Sequence, residues 1–178
     1  ALKGLRSGRV RLSASEGFAI DFLPRVINAF QKKYPGFVFQ VFVGAPAVVS
    51  RQVREGNADI GLTFARLPEP EIKVVHRQPG PIGLVMRNDH PLARFRHLSL
   101  GQLKPYPMAL PDPTTTLRQL FDIACSRQQV AIEPVMTSNY IQALHNYVLD
   151  NDALSITGDV TVRYRIARGE LTMRPIRD

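Results

Sequence analysis

The chain has 178 residues, 44% of them hydrophobic and 21% charged, with a formal net charge of +8. That length buries a sizeable core and holds one large domain or two small lobes, and the composition excludes disordered and fibrous classes. No apolar run reaches the roughly 20 residues a membrane helix needs, and the single cysteine, Cys125, excludes an intrachain disulfide and fits a reducing compartment.

The charge invites a nucleic-acid reading, but its distribution argues against one. Lys3, Arg6, Arg9 and Arg11 crowd the start, Arg163, Arg165, Arg168, Arg174 and Arg177 crowd the end, and the middle is nearly balanced. No recognition helix or interleaved aromatics accompany these residues. The opening "ALKGLRSGRV" has neither an initiator Met nor the apolar core of a signal peptide, which predicts a piece of a longer protein.

Residues 8–14, "GRVRLSA", alternate Val10, Leu12 and Ala14 with Arg9, Arg11 and Ser13, as a strand does. The spacing then becomes helical, with Phe18, Phe22, Val26 and Phe30 on one face. Ser13 and Glu16 match the capping-box pattern and predict a helix start near Glu16. Pro24 either kinks this helix or marks its true first turn, and Pro35-Gly36 ends it. "FVFQVFVG" is a strand that is apolar on both faces except at Gln40. "APAVVSRQVREG" is a helix with Pro46 in its first turn and Gly56 at its left-handed end. "ADIGLTF" lacks polar alternation and predicts a buried parallel strand. The order so far is β-α-β-α-β, which implies a parallel sheet with right-handed crossovers.

Beyond a Pro-rich turn, residues 72–79 and 81–88 read as extended segments, followed by a loop and a short helix near Ser99. The β/α order then resumes: strand 106–111, helix 114–129, strand 132–138, helix 139–151 and strand 153–158. A helix-like "VTVRYRIARG" and a strand-like "ELTMRPI" close the chain. The element order predicts two similar lobes joined near residues 79–84 and near Gly158.

"GRVRLSASEGFAIDFLPRVINAFQKKYPGFVFQV", "VREGNADIGLTF", "GLVMRNDHPLA", "LSLGQLKPYPMAL" and "ARGELTMRPI", in that order, resemble the effector-binding domain of LysR-type transcriptional regulators. "HPLA" followed by "LSLGQL" and a strand is the most telling combination. The resemblance implies an α/β fold of the type 2 periplasmic-binding-protein kind, with two Rossmann-like lobes, two crossover strands and a ligand cleft between the lobes. It places residues 1–80 with 159–178 in the first lobe and residues 81–158 in the second. It also implies that a DNA-binding helix-turn-helix and a final strand and helix belong to the complete protein and not to this chain.

In α/β sheets ligands sit outside the carboxyl ends of the strands. Asp59 lies at the other end of its strand and is read as a packing and turn residue, while Thr63 and Phe64 face the cleft. Four strand-to-helix junctions converge there: residues 13–16, 44–46, 112–116 and 137–139. Helix N-termini with short hydroxyls suit an anionic group, so Ser15, Thr114, Thr115 and Ser138 join Thr63 and Phe64 as candidate effector contacts, with Thr157 counted beside them. Capping alone accounts equally well for each hydroxyl. Glu16 is the eighth candidate. Beside a carboxylate ligand it is repulsive, so either the effector bears an amine or hydroxyls, or Glu16 completes the capping box and points away.

Catalysis has little support. Cys125 sits among apolar helix positions and reads as a small buried hydrophobe. His76, His90, His97 and His145 lack metal-ligand spacing, and the junctions carry no paired carboxylates, so no metal, cofactor or enzymatic activity is expected. The expected protein is a cytoplasmic, bacterial sensing domain that binds an organic acid, amino acid or aromatic acid. It is expected to form a homodimer, or a tetramer at full length, and to reach DNA only through a separate domain. The alternative is a periplasmic solute-binding protein of a transporter.

Overall fold

The computed structural model describes residue 4, residues 6–64 and residues 68–177. It divides into two compact units, Ala1–Pro79 and Gly80–Asp178.

The first unit follows the expected β-α-β-α-β order. Strand β1 (Ser7–Ala14) lies between β2 (Gly36–Val43) and β3 (Ile60–Leu62), parallel to both. The single helix expected after β1 is two: α1 (Glu16–Ala19) and α2 (Phe22–Lys33). Pro24 is the third residue of α2, so it marks a true first turn, where its missing N–H costs nothing. The capping box expected from Ser13 and Glu16 does not form. Ser13 stays inside β1 and is buried, Ser15 is the residue before α1, and its side chain makes no capping bond.

Leu12 and Ala14 from β1 and Leu23 from α2 form a buried core, with Phe18, Phe22, Ile27 and Phe39 packed against it. Burying such side chains contributes about 1.5–3 kcal/mol each. Helix α3 (Pro46–Arg54) begins at Pro46 and ends before Gly56, whose φ of 73° is a conformation that only glycine adopts without strain. Strand β3 is parallel as expected but not buried: it is an edge strand, and Ile60 is exposed.

Asp59 works at the foot of β3. Its Oδ2 accepts the Arg11 amide at 2.7 Å, its Oδ1 accepts Arg11 Nη2 at 3.0 Å, and its own amide donates to the Arg11 carbonyl at 2.8 Å. The Arg11 side chain, and then its amide, hold the Asp59 carboxyl below the ordinary range. The residue latches β3 onto β1, as the sequence reading has it. Residues 72–79, expected to be extended, form no strand; without a partner strand their backbone has no ladder to join.

The second unit contains a three-stranded antiparallel sheet and a two-stranded parallel one. Strand β4 (Ile82–Arg87) pairs antiparallel with both β7 (Ser155–Gly158) and β8 (Leu171–Pro175). Strands β5 (Ala109–Pro111) and β6 (Met136–Ser138) pair parallel, and the Ala109 amide donates to the Leu154 carbonyl at 2.8 Å. Helices α4 (Thr116–Arg127), α5 (Ile141–Leu149) and α6 (Asp159–Ala167) complete the unit. The strongest difference from expectation concerns residues 159–178, which group with residues 80–158 rather than with the first lobe. The cause is β8: five of its residues pair with β4, and Leu171 and α6 residue Val162 are buried together with Val85 and Val148. Gly83 permits that pairing, since a Cβ there would lie 2.7 Å from the Arg174 carbonyl oxygen.

The "HPLA" segment is a 3₁₀ turn at Pro91–Arg94, and "LSLGQL" holds a second at Leu100–Leu103 with a capping box between Ser99 and Gln102. His90 is buried. Its Nδ1 accepts the Leu92 amide at 3.0 Å and its Nε2 donates to the Asp152 carbonyl at 2.9 Å, so both nitrogens are engaged in structure. Leu98, Leu100 and Leu103 then enter the largest core, with Leu84, Met108, Leu110, Leu154 and Ile156.

Candidate functional site

The eight candidate residues separate into groups that follow the units. In the first unit the parallel register brings the carboxyl ends of β1, β2 and β3 side by side: Ala14 is opposite both Val43 and Leu62. The Ser15 amide donates to the Leu62 carbonyl at 2.9 Å, and the Ser15 and Thr63 hydroxyls are hydrogen-bonded at 3.1 Å. Phe64 stacks on Phe18, with ring centroids 4.7 Å apart. Ser15, Thr63 and Phe64 therefore form one cluster. Phe18, which the sequence reading placed only in the core face, belongs to it. Glu16 is the first residue of α1 and half-buried.

In the second unit Pro111 is opposite Ser138, which places two more junctions side by side. The Asp112 amide donates to the Ser138 carbonyl at 3.0 Å. The Thr114 amide and hydroxyl both donate to Asp112 Oδ1, at 3.0 and 2.6 Å. These bonds, the hydroxyl first, hold the Asp112 carboxyl below the ordinary range, with a smaller contribution from the charge of Arg118. The Thr115 hydroxyl donates to the Asp112 carbonyl at 2.8 Å and accepts the Arg118 amide at 3.3 Å. The Ser138 hydroxyl accepts the Tyr140 amide at 3.0 Å. Thr115 and Ser138 thus perform the local backbone capping that the sequence allowed, while Ser15 does not cap at all. Each hydroxyl keeps hydrogen-bonding capacity beyond these contacts. Thr157 stands apart, buried in β7 with its hydroxyl 3.5 Å from the Gly158 carbonyl.

Asp112 and Arg118 are the residues the sequence reading missed. Arg118 donates from Nη1 to the Pro111 carbonyl at 3.1 Å and from Nε to Asp122 at 2.9 Å, and so ties α4 to the end of β5. The Asp-x-Thr spacing at residues 112–114 is the signal that marks Asp112, because a short acidic side chain there bonds the backbone two residues on.

Cys125 is buried, and burial pushes its thiol up, which keeps it protonated and poorly nucleophilic. Among the described residues no group of three His, Cys, Asp or Glu side chains could hold a metal ion. No described helix is long and apolar enough to cross a membrane.

This arrangement of polar side chains at the carboxyl ends of parallel strands coincides with a family match. The model of the LysR substrate binding domain matches residues 3–178. The chain belongs to the LysR substrate binding domain family.

Among LysR-family relatives, it is 24% identical over 179 residues to the RuBisCO operon transcriptional regulator of Acidithiobacillus ferrooxidans, covering 99% of this chain and 57% of that protein. The effector binding domain of QuiR in complex with shikimate superposes with a TM-score of 0.74 at 18% identity, covering 97% of this chain and 82% of that one. The regulatory domain of Synechocystis PCC6803 CcmR in complex with 2-PG gives a TM-score of 0.73 at 23% identity, covering 96% and 81%. These LysR structures share the two-lobed, periplasmic-binding-protein-like α/β fold. The LysR chain described here spans a little over half the length of the A. ferrooxidans regulator and of CysL from Bacillus subtilis.

Proposed function

We infer that this effector-binding domain senses one small polar molecule. Ser15, Thr63 and Phe64 in the first unit, and Thr114, Thr115 and Ser138 in the second, are its candidate contacts. The observation that carries this reading is the register that gathers hydroxyls at the carboxyl ends of the parallel strands in each unit. The QuiR and CcmR domains, solved with shikimate and 2-PG, support a small polar ligand in a fold of this kind. Glu16 and Thr157 remain candidate contacts. The effector class is an organic acid, an amino acid or an aromatic acid, with the Phe18–Phe64 pair offering an aromatic face to a planar group.

Thermal-shift screening of those three classes tests the reading. A ligand that binds the native state selectively stabilises it, by about 2.7 kcal/mol at a hundredfold excess over Kd. The stabilisation is expected to fall when Ser15, Thr114 or Ser138 is replaced by alanine. A compound whose shift is the same in all three variants would place the site elsewhere.

The complete protein is proposed to be a cytoplasmic transcriptional regulator without catalytic activity. Effector binding would favour one arrangement of the sensing domain over another, and that requires different affinities for the two arrangements. The family match favours this over the transporter-linked alternative. DNA recognition is assigned to sequence other than this chain. In gel-shift assays the 178-residue chain should therefore bind duplexes only weakly, without sequence preference, and lose binding steeply as salt rises. Sequence-selective retardation at physiological salt would contradict the assignment.

A further inference from the structure

The second unit carries a pocket of about 390 Å³ that none of the eight candidate residues touches. Arg96, His97, Ser99, Gln102 and Arg177 line it around Leu98, which is fully buried. Its frame is fixed from below. The Arg174 guanidinium donates to the Phe95 carbonyl at 2.8 Å and to the Ala93 carbonyl at 2.8 Å. The Leu98 amide donates to the Pro175 carbonyl at 3.0 Å, and the Arg177 amide to the Leu98 carbonyl at 2.8 Å. Arg96, His97 and Arg177 therefore extend from backbone that is tied down on both sides.

The charges around the pocket are of one sign. Among the described residues no carboxylate lines it. Arg87, Arg118, Arg163, Arg165 and Arg168 in the same unit each pair with a carboxylate. Among the described residues, the side chains of Arg96 and Arg177 have no such partner. Two unpaired guanidinium forks beside an imidazole match a compact oxyanion, which guanidinium binds with two parallel hydrogen bonds, while Ser99 and Gln102 bond each other and shape the wall.

We propose that this pocket binds a small free oxyanion of the phosphate or sulfate type. Arg96 and Arg177 contribute charge and paired donors, and His97 completes the rim. The size suits a small molecule, and the site is independent of the effector reading.

The test is an NMR titration of the isotopically labelled 178-residue chain with inorganic phosphate, against sodium chloride at matched ionic strength. Saturable shifts confined to Arg96, His97, Leu98 and Arg177 are expected with phosphate alone. The double variant Arg96→Gln, Arg177→Gln should bind about tenfold more weakly or worse, since charge-assisted hydrogen bonds are about twice as strong as neutral ones. Both side chains are exposed, and unshifted resonances of Leu84 and Leu110 report an intact core. If that variant fails to fold, His97→Ala with the unmodified chain supplies the same comparison. Shifts reproduced by chloride, shifts spread over Arg9, Arg11 and Arg163, or unchanged affinity in the variants would overturn the site. Preferential binding of duplex DNA at these residues would overturn it too, in favour of a phosphodiester surface.

Discussion

Acidification from pH 6.5 to about 4 should destabilise the second unit by about 3 kcal/mol, and His145→Leu should remove most of that dependence. His145 lies on α5 with 1% of its surface exposed, and among the described residues neither ring nitrogen has a hydrogen-bond partner. Burial first, and then the nearby positive charge of Arg165, lower its pKa from 6.5 to about 4. Between those values the unfolded chain binds a proton that the folded chain refuses. Stability is therefore intact above pH 6.5 and falls as pH drops through the window, at about 1.4 kcal/mol per unit. Asp59, Asp112 and Glu170 also have lowered pKa values; the ordinary value of 3.8 puts the losses of the two aspartates below this window, and Glu170, ordinarily 4.5, adds to the slope only at its acid end. Leucine at 145 forfeits no hydrogen bond seen in the structure and cannot be protonated. Chemical denaturation at intervals between pH 7 and pH 4 measures the slope. Equal slopes for the two proteins over that range would show that His145 does not carry it.

The second large effect concerns assembly. Sedimentation over a dilution series should show a dimer, and Phe42→Glu should shift it to monomer with a loss of about a hundredfold or more in affinity. Strand β2 lies at the edge of its sheet, and nothing between Gly36 and Gly44 is charged. Val38 is 57% exposed and Phe42 47%. An uncovered apolar edge of this kind invites pairing, and natural edges are ordinarily charged or shielded. On α4, Leu120 and Ile123 are 50% and 49% exposed, which supports α4 of a second copy as the surface that covers β2 and α2. Such a twofold contact occurs twice per dimer, so one substitution acts twice. Phe42 is already half in solvent, so glutamate there leaves the monomer core undisturbed. Leu120→Glu should have the same effect from the other side. A chain that remains monomeric at high micromolar concentration would exclude this dimer.

The sequence by itself determined the order of elements. Periodicity separates β1, with Val10, Leu12 and Ala14 on one face, from the helical Phe18–Phe22–Val26–Phe30 spacing because strands repeat every two residues and helices every 3.6. Pro46 and Gly56 bounded α3 through backbone geometry that no neighbour can change. The structural role of Asp59 was legible for a similar reason: its place between a helix stop and a strand start puts it at the amino end of β3. The candidate residues were named from sequence for a related reason, since hydroxyls next to strand ends are visible as Ser15, Thr114, Thr115 and Ser138.

Tertiary structure alone decided which of these residues meet. Ser15 and Thr63 are 48 positions apart, and only the shared alignment of Ala14 with Leu62 brings their hydroxyls together. Asp112 owes its lowered pKa to two bonds from Thr114, and its position beside Ser138 to the pairing of β5 with β6. Residues 159–178 looked like a return to the first lobe because the order of elements does not reveal hydrogen-bonding partners. Strand β8 carries the same pattern whether it joins one sheet or another, and the pairing with β4 over Gly83 settles its place in the second unit. Local sequence sets φ, ψ and periodicity within an element. Pairing and desolvation depend on residues far along the chain, and those are the quantities that turn separate hydroxyls and carboxylates into clusters.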